Sequence, residues 1–168
     1  MQSICYIPPM LTLIDQLIGH KWWANFNLLR SVEQHQPAAE DAELRKLLHH
    51  ILIANRYWLL LTLGQPFIDE EERRIPESHA ALINHFRETE SIEKHWLSSI
   101  KQSDLDRPLQ PRALPDITVS VAQAATQVAL HSQGHRSQCA SMLRALGGVP
   151  APMDFVLWVR DQVASTKV

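Results

Sequence analysis

Cysteine is scarce in this chain of 168 residues: there are two, Cys5 and Cys139, and no Cys-x-x-Cys pair. That excludes a disulfide framework and the usual cysteine-rich zinc spacings. Long apolar runs are missing too. Stretches such as Trp58 to Leu61 fall far short of the roughly 20 residues needed to cross a bilayer. The segment from Met1 to Met10 has no basic residue and is broken by Pro8 and Pro9, so it does not read as a secretory leader. Charge of one sign is lacking as well. A formal net charge of −2 creates no global field toward phosphate backbones or anionic membranes, so no nucleic-acid or membrane partner is expected. A reducing cytoplasm is the expected location. No stretch alternates as a strand would, and there is no internal repeat or low-complexity tract.

What is present is helical periodicity. The length suits a single domain spanning 1–168, and 45 % hydrophobic with 20 % charged residues suits a packed core. Leu11, Ile14, Ile18, Trp22, Phe26 and Leu29 recur at steps of three and four, which predicts an amphipathic helix over about residues 10 to 34. Pro37 interrupts it. A second helix is predicted from about Asp41 to Leu63, stopped by Gly64 and Pro66.

A third is predicted over about 78 to 101, with Leu82, Phe86, Trp96 and Ile100 on one stripe and Glu93 intruding into it. Pro108, Pro111 and Pro115 mark Gln102 to Ile117 as a long connection, either a functional edge or a crossover. Thr118 is placed to cap a fourth helix that runs to Leu146 and ends at Gly147-Gly148. Asp154 is placed to cap a short fifth, with Met153 and Trp158 set for a hydrophobic staple. The expectation is an all-α fold, an up-down four-helix bundle with long connections and a short C-terminal fifth helix.

Nine histidines are available to such a bundle. His131 and His135, at i and i+4, share one helix face a turn apart. On the helical wheel His135 lies roughly 40° and His131 roughly 80° from the centre of the apolar face. The pair reads either as two independently satisfied core-edge histidines or as half of a metal site. A zincin mechanism has no obvious base, because Ser132 stands where His-Glu-x-x-His has its Glu. On the second helix, His50 falls roughly 100° from the apolar centre and His49 roughly 160°, so His50 is expected at the edge of the buried stripe and His49 in solvent. Antiparallel packing would set His50 against His131 and His135, giving three imidazoles and open positions on a divalent ion. His20, His35, His79, His85 and His95 read as solvated. Cys139, one turn past His135, reads as a small buried residue rather than a fourth ligand.

The segments His131-Ser132-Gln133-Gly134-His135-Arg136-Ser137-Gln138, Leu143-Arg144-Ala145-Leu146-Gly147 and Pro150-Ala151-Pro152-Met153-Asp154 resemble the C-terminal signature of the DinB/YfiT-like family. His50-Ile51-Leu52-Ile53-Ala54-Asn55-Arg56-Tyr57-Trp58-Leu59 is similar to its second-helix motif, and Trp23-Ala24-Asn25 to a segment of its first helix. Ser137 departs from the glycine usual after His-Arg. The resemblance implies a four-helix bundle, commonly a homodimer, with one nickel or zinc ion held by His50, His131 and His135. It also implies a metal-dependent transferase using a low-molecular-weight thiol, such as bacillithiol or mycothiol, on an electrophilic substrate, or else a hydrolase. The alternative is a non-catalytic, metal-stabilised dimeric module that binds small molecules or is purely structural.

Among the other polar residues, Arg136 reads as a structural ion pair before a substrate-anion ligand, because its side chain leaves the helix about 100° from that of His135. Gln138 reads equally as a site hydrogen bond or an interhelical one, and Asn55 as a support to the site or an ordinary interhelical bond. Trp22, Trp23, Phe26, Tyr57 and Trp58 read as core or interface before pocket lining.

Overall fold

The computed structural model describes residues 9–165. Cys5 and the first eight positions lie outside that range. Four long helices form the body: α1 (Met10–Glu33), α3 (Ala42–Leu63), α5 (His79–Ser99) and α6 (Val121–Ala145). Between and after them come short α2 (Gln36–Glu40), with Pro37 in its first turn, then α4 (Asp69–Glu72) and α7 (Phe155–Ser165). A 3-10 turn (Gln102–Asp106) and a two-residue antiparallel pair, β1 (Pro108–Leu109) with β2 (Val119–Ser120), fill the connection before α6. The fold is all-α, a four-helix bundle with a terminal fifth helix.

Helix ends follow local chemistry. Asp41 accepts from the Leu44 amide at 2.7 Å to start α3, and Gly64, at φ 69°, ends it in the left-handed region. For α6 the predicted cap Thr118 is displaced two residues. Ser120 and Gln123 form a reciprocal capping box (2.8 and 3.2 Å), because Val119 and Ser120 first pair with β1. Ser120→Ala should therefore cost about 1 kcal/mol in chemical denaturation, and Thr118→Ala much less; equal losses would reassign the cap.

α3 packs on α6 and α5, and α1 packs on the same two helices. Cross-helix bonds give the directions. Asn25–Arg136 and His35–Leu146 run α1 parallel to α6; Lys21–Glu93 and Leu29–His79 run α1 antiparallel to α5. Arg45–Glu77 and Arg56–Thr89 show that α3 and α5 are parallel. The chain thus goes up, down, down, up, and the crossover is residues 64–78 rather than 102–117, which joins α5 to α6 at one end of the bundle. The core between the helices holds Ile14, Leu28, Leu48, Leu82, Phe86 and Leu143, each 1 % exposed or less. At about 25 cal/mol per Å² of apolar area removed from water, this burial drives the assembly.

Candidate metal centre

α3 and α6 are antiparallel neighbours, and their facing sides bring His50, His131 and His135 together. Ring centroids stand 5.1 Å apart for His50–His131, 4.6 Å for His50–His135 and 4.4 Å for His131–His135. One nitrogen from each ring lies within 4.8 Å of the other two. Two imidazole nitrogens on one tetrahedral ion sit about 3.4 Å apart at ordinary Zn–N bond lengths, a gap that small ring rotations close. The donor set suits zinc, nickel or copper better than the hard oxygen-seeking ions.

Electrostatics suits it as well. Burial, with His135 and His50 close by, pushes His131 down to about 4, and burial with His135 nearby lowers His50. Both rings are therefore neutral at pH 7, the form that ligates. Gln138, one turn on from His135, hydrogen-bonds its Nδ1 at 2.8 Å. With the amide oxygen accepting, Nδ1 carries the proton and Nε2 is left as the ligand atom. The two roles open to Gln138 in the sequence resolve to the one inside the site.

His49 and His50 exchange their expected exposures. His49 is 4 % exposed, bonded to the backbone of Glu72 and lowered in pKa by burial, whereas His50 is exposed. α3 is covered by α5 as well as α6, so its buried arc is wider than a single apolar stripe and takes in His49. His50 faces the α6 groove regardless. Cys139 is fully buried, outside the three-histidine cluster, with its thiol pushed up to about 12 by burial.

Other expectations change in kind. Arg136 is 1 % exposed and makes no ion pair among the described residues; it donates to Asn25 Oδ1 at 2.9 Å and Gln133 Oε1 at 2.7 Å, and burial lowers it to about 10. It stays charged and structural. Asn55 accepts from buried Lys21 at 2.5 Å, an interhelical bond. His20, His35 and His79 are not solvated: each bonds a backbone carbonyl across the fold, of Met153, Leu146 and Leu29 respectively. His85 and His95 are exposed as expected. Trp22 is core and stacks on Phe26, while Tyr57 contacts Trp58 and Phe67 edge to face.

The fold and the three facing histidines define a helical-bundle protein with a site able to hold one metal ion between two antiparallel helices. The DinB family model matches residues 10–163, nearly the whole chain, and the protein belongs to the DinB family. No curated protein and no solved structure matches it. Among the described residues, no helix is long and apolar enough to cross a membrane.

Proposed function

We propose that this protein is a metal-dependent enzyme of the cytoplasm, working as a homodimer, in which His50, His131 and His135 hold one nickel or zinc ion. The observation that carries this reading is the convergence of three imidazoles with, among the described residues, no fourth His, Cys, Asp or Glu in their cluster, next to an exposed edge at His50. A divalent ion with open positions lowers the pKa of a thiol or water, so that a nucleophile exists at neutral pH. The chain's own part is to hold the His50 and His131 rings neutral by burial, to fix His135 through Gln138, and to keep one side accessible. The reaction class this supports is transfer of a low-molecular-weight thiol such as bacillithiol or mycothiol to an electrophilic substrate, or hydrolysis. The accessible edge favours chemistry over a closed, non-catalytic metal module, because structural sites use four protein ligands.

Cobalt-loaded protein titrated with small thiols is expected to gain a near-ultraviolet sulfur-to-cobalt absorption, and His50→Ala is expected not to. A cobalt spectrum indifferent to every thiol, together with a fourth protein ligand in a metal-bound structure, would leave the structural module as the better reading.

A further inference from the structure

His50 belongs to a second feature, a cleft of about 470 Å³ between α3, the α6 face around Met142 and the crossover segment after α4. Its walls are mainly apolar, formed by Leu47, Ile53, Ile75 and Met142. Two cations, Lys46 and Arg73, and one carboxylate, Glu43, also line it. That volume lies in the range of small-molecule sites, roughly 300–1,000 Å³.

The charges are not matched one to one. Asp69 divides its carboxylate between Arg73 Nε at 2.7 Å and Arg112 at 2.5 Å, so these three groups carry a net positive charge. Asp69 uses only the Nε of Arg73, leaving the two terminal nitrogens of the guanidinium fork for a ligand. Lys46 stands 3.9 Å from Glu43, too far for a hydrogen bond, so its ammonium also keeps donors for a ligand. Two cations against the single Glu43 carboxylate leave the lining with an excess positive charge. A cation here would therefore meet more repulsion than attraction, while an anion would have the guanidinium fork and the ammonium to set against Glu43.

We propose that this cleft is the substrate pocket of the His50/His131/His135 centre, and that it selects a small molecule with an apolar body and an anionic group, the anion held by Arg73 and Lys46. The proposal rests on the metal-centre reading for the role of His50, but the cleft's selectivity can be measured apart from it. The apolar walls supply most of the affinity by burial, and the two cations supply the discrimination between head groups.

Octanoate and octylamine share an apolar body and differ in the sign of the head. Calorimetric titration of the full chain, metal-free and zinc-loaded, should show octanoate binding about tenfold more tightly than octylamine, the scale expected of two partly exposed charges. Arg73→Glu should abolish or reverse that preference, and Lys46→Glu, on an exposed helix face, should reduce it about threefold. Zinc content, measured on every sample, should stay at the wild-type level in both variants. Equal binding of the two probes, or a preference seen only with zinc and untouched by both substitutions, would overturn the anion pocket. Failure of the wild-type protein to take up zinc, with the preference intact in metal-free protein, would sink the metal centre while keeping the pocket.

Discussion

His131→Ala and His135→Ala are each expected to lose stoichiometric metal, with affinity falling by more than about 100-fold, since changes to the outer partners of a ligand alone cost 10–100-fold. His50→Ala should behave the same way, because two imidazoles on one helix make a poor divalent site. His49→Ala should keep its metal and lose stability instead, since it removes a buried ring that bonds the Glu72 backbone. Gln138→Ala should fall between, at about tenfold, by freeing the His135 ring from its tautomer and orientation. Elemental analysis of protein made without a histidine tag reads all five. Retention of full occupancy by His131→Ala and His135→Ala would refute the three-histidine centre, and metal lost from His49→Ala but kept by His50→Ala would move the ligand to the neighbouring ring.

The site was legible in the sequence where it depended on one helix. An i, i+4 pair on a periodic stripe fixes the mutual placement of His131 and His135 whatever surrounds them, and Gln138 at i+3 from His135 belongs to the same local geometry. His50 was reached by a wheel argument whose premise fails. The wheel assumes one buried stripe, but α3 is packed on two sides, so the more buried ring, His49, is not the one that meets His131 and His135; the position of α6 selects His50. Hydrophobic periodicity also says nothing of polar side chains that pair far apart in sequence. Hence Lys21 and Arg136 were unmarked as interior groups, and three histidines that tie helices and loops together through carbonyls read as solvated. The crossover, one of the two readings open for 102–117, lies elsewhere for a related reason. Proline density marks irregular chain, whereas a crossover is set by the directions of α3 and α5, which only their contacts reveal.

The one polar intrusion visible in the sequence, Glu93, turns out to organise the interior. Its carboxylate accepts from Lys21 Nζ at 2.5 Å and from the Trp22 indole, and Lys21 is also held by Asn55. Lys21 is fully buried and Glu93 is 3 % exposed. Burial pulls the Lys21 pKa down while Glu93 pulls it back up, and Arg136 is a second interior cation, bonded to the neutral Asn25 and Gln133 side chains. Glu93 is thus the anion that balances the buried Lys21. Glu93→Gln should cost about 3–5 kcal/mol, the usual penalty for stranding a buried charge. At about 2–4 °C per kcal/mol for a chain of this size, Tm should fall by roughly 6–20 °C. The double variant Lys21→Met with Glu93→Gln removes both charges, keeps the volumes, and should recover most of the loss, because a buried pair is worth little against a neutral isostere. Thermal denaturation of the single and double variants measures the coupling directly. A single variant within about 1 kcal/mol of the parent would mean that Lys21 is neutral in the folded protein, and that the network is held by hydrogen bonds rather than charge.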